Sequence, residues 1–199
     1  ITEKKNREIL GLTVDHAESY DSWSRFFQHL KSRGIQSPKL IISDAHQGLQ
    51  KAIQREFIGT SWQRCNVHFK RNIFEKLPKK DSTEIRMMIK RIFEAITIED
   101  SRKFKDELMS QFGDNPKYEK SLTILDDGFE DTIQYMNHPE EIRCHIRSTN
   151  SLERLNQEVR RRERVIRVFP NTQSAFRLVG AVLMQYQESV YSIKKSLTK

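Results

Sequence analysis

The chain has 199 residues, with 35 Lys and Arg against 27 Asp and Glu, for a formal net charge of +8. This length suits one domain, or one domain carrying an insertion, and 36% hydrophobic residues is more than a disordered chain offers. No apolar run approaches the ~20 residues of a membrane-spanning helix, and Ile1-Thr2-Glu3-Lys4-Lys5 has neither an initiator Met nor a signal core, so the start reads as part of something longer.

Arg7–Val14 (REILGLTV) is apolar and β-compatible and predicts a strand, with Gly11 marking a bulge or a close backbone approach. A helix follows from Asp21-Ser22, where Trp23, Phe26, Phe27 and Leu30 share one face, and it stops at Arg33-Gly34. Lys39–Ser43 (KLIIS) is a short, nearly continuous apolar run of the buried parallel kind, with Asp44 at its carboxyl end. Gln47–Phe57 reads as a helix and Thr60–Cys65 as the next strand, so the first third predicts an α/β sheet. From His68 the pattern turns helical: His68–Leu77, then Ser82–Ala95, then further helices to Asn137. Breaks fall at Gly113–Pro116 and His138-Pro139, and no strand is expected between Pro78 and Ile142. Ser148-Thr149-Asn150 supplies N-cap chemistry for an Arg-rich helix over Ser151–Arg164, and Pro170-Asn171-Thr172 caps a last helix over Gln173–Tyr191. In that helix Ala175, Leu178, Val179, Val182, Leu183 and Tyr186 form the buried side.

Four groups of residues could carry chemistry. Asp44 stands where ligands of open α/β sheets bind, a place suited to a divalent metal; the same position also suits a cap for the following helix. Glu153 shares a helix face with Asn156, Gln157 and Arg160, beside the apolar stripe Leu152, Leu155 and Val159. It could also be an ordinary first-turn acid favoured by the helix dipole. Between Arg147 and Arg167 there are seven Arg (147, 154, 160, 161, 162, 164, 167) against three Glu, where a merely soluble helix would more often mix Lys with Glu. Arginine is the residue that grips phosphate bidentately. Cys65-x-x-His68 raises structural zinc with Cys144-His145 as a second pair, but an adjacent Cys-His cannot easily aim both side chains at one ion. A buried Cys and a hydrogen-bonded His fit the spacing better. Two cysteines are too few for a disulfide framework and fit a reducing compartment, and the basic balance favours nucleic acid as partner.

Four phrases together carry a resemblance: LIISDAHQGLQKAI (Leu40–Ile53), SWQRCNVHFKRNI (Ser61–Ile73), IRSTNSLERLNQEVRRRERV (Ile146–Val165) and FPNTQSAFRLVGAVL (Phe169–Leu183). In order, over nearly the whole chain, they resemble the Mutator-type transposases of bacterial insertion sequences. The resemblance implies an RNase H-like α/β core, a mixed sheet flanked by helices, divided by an all-helical insertion. It allots 1–77 and 143–199 to the core and 78–142 to the insertion. It implies DNA cleavage and joining by two Mg²⁺ (or Mn²⁺) ions held by an Asp-Asp-Glu triad, in the bacterial cytoplasm, with double-stranded DNA as partner and a homo-oligomer as the active complex. Asp44 matches the second Asp and Glu153 the Glu, with Arg160 at the basic position seven residues on. Arg147, Asn150, Arg154, Asn156, Arg160, Arg161, Arg162 and Arg164 are the expected DNA contacts, and Cys65 with His68 is a family signature without an assigned role. The triad's first Asp belongs to a strand upstream of Arg7–Val14; Asp15 and Asp21 do not match it. The expectation is therefore a core missing its first strand, inactive alone, or a module that only binds DNA or a sister subunit.

Overall fold

The computed structural model describes residues 1–2, 6–166 and 168–197, with side chains described as far as 189. Among these residues the sheet consists of two parallel strands, β1 (Leu40–Ser43) and β2 (Ser61–Arg64), paired from Leu40 with Ser61 to Ser43 with Arg64. The other regular elements among the described residues are helical. The helices are α1 (Tyr20–Ser32), α2 (Gln47–Glu56), α3 (Asn66–Lys76), α4 (Thr83–Glu94), α5 (Ile98–Phe112), α6 (Glu119–Thr132), α7 (Glu140–Ile146), α8 (Asn150–Ile166) and α9 (Thr172–Leu197). A 3₁₀ turn, Gln134–Asn137, separates α6 from α7. The molecule is thus mostly helical with a small open sheet, and the expected mixed sheet flanked by helices is reduced to this pair.

The strand expected at Arg7–Val14 does not form; residues 6–14 are irregular. A strand needs a ladder partner for its backbone groups. Here side chains do that work instead: Ile9 N–H donates to Gln187 Oε1 at 2.8 Å, Gln187 Nε2 donates to Arg7 O at 3.2 Å, and Arg33 Nη1 donates to Leu10 O at 2.5 Å. Gly11 does mark a close approach, since a Cβ there would stand 2.8 Å from Leu30 Cδ2 and 3.2 Å from Phe26 Cε2.

The chain divides into two compact units. The first comprises 1–37, 47–58 and 150–199. In it α1 starts at a capping box between Ser19 and Ser22 and lays Phe27 and Leu30 against α2, where Leu49, Ala52, Ile53 and Phe57 are buried. The Phe27 and Phe57 rings meet edge-on at 5.2 Å. Helices α8 and α9 pack on each other in the same unit, with Leu155 and Val182 buried. Helix α9 is capped as its sequence predicts: Asn171 Oδ1 accepts from Ser174 N–H at 2.8 Å.

The second unit, 38–46 with 59–149, holds the sheet and the helices α3 to α7. Its core gathers Phe69, Ile73, Ile85, Ile89, Ile92, Leu108, Leu125, Phe129 and Ile133, all essentially inaccessible. Each buried side chain of this size contributes about 1.5–3 kcal/mol of apolar transfer free energy. Gln63 ties the sheet to the helices. This fully buried amide donates to Thr132 O at 2.5 Å and Arg64 O at 2.6 Å, and accepts from Tyr135 N–H at 2.8 Å. Every polar atom of Gln63 is thereby satisfied, which is the condition for burying an amide.

Candidate functional site

In the second unit, β1 and β2 finish side by side. Ser43 O accepts from Cys65 N–H at 2.7 Å, continuing the ladder one step past β2. Ser43 itself is buried; its Oγ accepts from Trp62 Nε1–H at 2.9 Å and donates to Asp44 O at 2.8 Å. The carboxyl edge of the sheet therefore carries Asp44 beyond one strand and Cys65 beyond the other. Asp44 is exposed and lies three residues ahead of α2, so it is not the residue that immediately precedes that helix.

Cys65 is fully buried, as the spacing argued, and its sulfur is engaged. Sγ accepts from Thr149 N–H at 3.4 Å and from Thr149 Oγ1–H at 3.3 Å, while the next residue's amide, Asn66 N–H, donates to Arg147 O at 3.1 Å. Three hydrogen bonds thus pin Arg147–Thr149 to the end of β2 and the start of α3. His68, half-buried, follows Cys65 by three residues across the first turn of α3, which places two metal-ligating residue types on one helix face. Cys144 is exposed on α7, so the two cysteines occupy opposite environments.

Behind this edge lies a charged pair that sequence reading did not single out. Arg64 is half-buried with its guanidinium 4.5 Å from the Phe69 ring centroid. Burial lowers its pKa, and the Asp131 charge partly offsets that. Asp131 is shifted up, chiefly by burial, against the opposing pull of Arg64. Only alternation within Ser61–Arg64 could have hinted that Arg64 is partly enclosed.

In the first unit, α8 presents Glu153 half-buried in its first turn. The apolar stripe is narrower than its spacing suggests: Leu155 is buried and Val159 half-buried, but Leu152 is 53% exposed. Arg154, Asn156, Arg160, Arg161, Arg162 and Arg164 are all exposed, as is Asn150 at the helix start. Arg161 pairs with Glu158 at 3.0 Å, and Arg162 Nη2 reaches Gln185 Oε1 on α9 at 3.4 Å. Arg154, Arg160 and Arg164 form no ion pair among the described residues. Arg147, exposed, belongs to the second unit, and Arg167 lies outside the described residues.

Residues 1–192 match the family described as Transposase, Mutator family. Over 196 residues the chain is 50% identical to the transposase for insertion sequence element IS256 in transposon Tn4001 of Staphylococcus aureus, covering 98% of this chain and 50% of the relative. It is 34% identical over 184 residues to the transposase for insertion sequence element ISRM5 of Rhizobium meliloti, covering 92% of this chain and 46% of that one. It is 36% identical over 182 residues to the transposase for insertion sequence element IS1081 of Mycobacterium tuberculosis, covering 92% and 43% respectively. The chain spans about half the length of the curated relatives it matches. No helix among the described residues is long and apolar enough to cross a membrane.

Proposed function

The chain belongs to the Mutator family of transposases, and we propose that within it this region is a DNA-binding module that grips duplex phosphates through α8. The observation that carries the reading is the set of exposed arginines on α8: Arg154, Arg160 and Arg164 have no carboxylate partner among the described residues, and Arg162 contacts only a neutral amide. Exposed guanidinium groups without a carboxylate partner are available to fork onto phosphate oxygens. Asn150 and Asn156 are further exposed polar residues of α8, and Arg147 is an exposed arginine of the second unit; all three belong to the proposed DNA contacts. A homo-oligomer as the working complex is part of this proposal.

A second reading is catalytic. An RNase H-like core built from 1–77 and 143–199, divided by the insertion 78–142, would hold Mg²⁺ (or Mn²⁺) on Asp44 and Glu153. It is favoured by Asp44, an exposed carboxylate at the carboxyl end of a parallel strand. Such carboxylate oxygens suit a hard cation, whereas Cys65 and His68 offer softer donors better suited to zinc, and Cys65 Sγ already accepts two hydrogen bonds. When bound, the hard ion would supply activation of water or a 3′-hydroxyl for phosphoryl transfer. What this chain's own residues would contribute is Asp44 and Glu153 as ligands and the arginines as the grip on the strand.

The test is duplex binding followed by fluorescence anisotropy. Replacing Arg160, Arg161 and Arg162 by Ala should weaken binding alike for insertion-sequence ends and unrelated duplexes, because phosphate contacts carry no sequence information. A chain that binds no duplex at low salt overturns the module reading. Mg²⁺-dependent nicking that Asp44→Ala abolishes would put the catalytic reading in its place.

A further inference from the structure

Charge within the second unit is segregated. Residues 66–94, spanning α3 and α4, carry eight Lys and Arg against four Asp and Glu, whereas 98–132, spanning α5 and α6, carry five against ten. On the acidic side three of the five bases are paired: Arg102 with Glu130 at 2.8 Å, Lys105 with Asp126, and Lys117 with Asp81 at 3.7 Å. On the basic side Lys70, Arg71, Lys90 and Arg147 form no ion pair among the described residues.

The two basic helices share a surface. Phe69 meets Phe93 edge-on at 5.9 Å, and Arg86 stands 5.2 Å from the Phe74 ring while donating to Phe74 O at 3.2 Å, so α3 and α4 run antiparallel. The Lys70 ammonium lies 5.9 Å from the Phe93 ring centroid. A shallow cavity of about 460 Å³ opens along α3 between Val67, Lys70, Arg71, Phe74 and Glu75. Arg71 and Lys90 are exposed and Lys70 half-buried. Lys70 is pulled below its ordinary value, first by burial and then by the charges of Arg147 and Lys90, with Glu94 acting the other way. A site that crowds cations this closely is relieved by an arriving anion.

We propose that the α3–α4 face is a second duplex-DNA surface, gripping the phosphate backbone with Lys70, Arg71 and Lys90, beside Arg147, through residues other than the arginines of α8. The inference rests on the DNA-binding reading above. The acidic face of α5 and α6 repels the duplex, so the unit's own charge asymmetry orients it on the polyanion.

The experiment compares three variants of the full chain on a duplex of about 30 base pairs with unrelated sequence, across a salt series. These are Lys70→Gln/Arg71→Ala/Lys90→Ala, Arg160→Ala/Arg161→Ala/Arg162→Ala, and Lys103→Ala/Lys120→Ala on the acidic side. Three lost phosphate contacts should flatten the log–log salt slope by about 2.7 and weaken binding by roughly 500-fold at 0.1 M salt. The α3–α4 variant should show this loss and the α5–α6 control should not. Should the half-buried Lys70 prove needed for folding by circular dichroism, Arg71→Glu/Lys90→Glu changes only exposed positions and should flatten the slope by about 1.8 or more. An unchanged slope in both α3–α4 variants while the α8 variant loses affinity overturns this inference and leaves the module reading standing. Equal losses in the acidic-side control mean that net charge, not this face, is read, and also overturn it. Absence of duplex binding by the unaltered chain defeats both readings.

Discussion

Gly128 on α6 is a position where a single methyl group should be felt. A Cβ there would stand 2.5 Å from Arg64 Nη1, 2.5 Å from Phe69 Cε2 and 3.0 Å from Phe69 Cζ. Two effects favour Gly128→Ala: helix propensity improves by about 1 kcal/mol, and one more methyl group is buried for about 0.8 kcal/mol. Against them stands overpacking, typically about 1–3 kcal/mol, and here the contacts are far inside van der Waals range. Arg64 can swing its terminus away, but only by giving up its stacked position 4.5 Å from the Phe69 ring, worth about 0.5–2 kcal/mol. Phe69 cannot yield, because it is fully buried and pinned edge-on against Phe93. The repulsive terms outweigh the gains, and Gly128→Ala should lose about 1–2 kcal/mol. At about 2–4 °C per kcal/mol for a chain of this size, the midpoint should fall by roughly 2–8 °C. Thermal and urea unfolding monitored by circular dichroism measure it. Phe69→Leu introduced with Gly128→Ala should cost less than the two single losses added, since the shorter side chain makes room. A midpoint that stays level or rises would refute the close-approach argument.

Gln63→Leu should destabilise by about 2–4 kcal/mol in urea unfolding, because the Thr132 carbonyl and the Tyr135 amide are left buried without Gln63. Glu56 is held below its ordinary 4.5 chiefly by the Gln28 hydrogen bond, helped by Lys31 and Ser24. A carboxylate with a depressed folded-state pKa stabilises above its unfolded value and loses that contribution as pH falls through the folded one. The stability gap between the unaltered chain and Glu56→Gln should therefore be widest near neutrality and close below about pH 4, as melting curves at stepped pH would show. Brief iodoacetamide treatment of the native protein should add one adduct, on exposed Cys144, while Cys65 reacts only after denaturation; a second native adduct by mass spectrometry would contradict the buried thiol.

The helices with a regular apolar face were legible in the sequence. Trp23, Phe26, Phe27 and Leu30 announced α1, and Ala175, Leu178, Val182 and Tyr186 announced α9, because a 3.6-residue repeat is a local property of the chain. β1 was legible from Leu40-Ile41-Ile42 for the same local reason. Arg7–Val14 shows where that reasoning stops. β-compatible residues state what a segment tolerates, not whether a ladder partner exists, and here Gln187 and Arg33 satisfy the backbone instead. Gln63 is a similar case: a polar residue in a short strand reads as solvent-facing until its partners, about seventy residues on, are known. The Cys65–Thr149 contact joins residues 84 apart, and nothing in either neighbourhood announces it. Ser148-Thr149-Asn150 looked like helix-capping chemistry, and the hydroxyl went to a sulfur atom.

Charge was legible to the extent that it was clustered in one stretch. The arginines of α8 stand out because five fall within its seventeen residues, and their exposure follows from the helix having only a narrow apolar stripe. The basic face of α3 and α4 has comparable strength but is concealed by summation: over 66–132 there are thirteen basic and fourteen acidic residues, a stretch that looks neutral. Neutrality of a segment is not neutrality of its surfaces. Antiparallel packing of α3 on α4 places the excess cations together, while α5 and α6 carry the excess of acids, ten against five over 98–132. A polyanion responds to the local field within about one Debye length, roughly 10 Å at 0.1 M salt, so it senses the faces and not the sum.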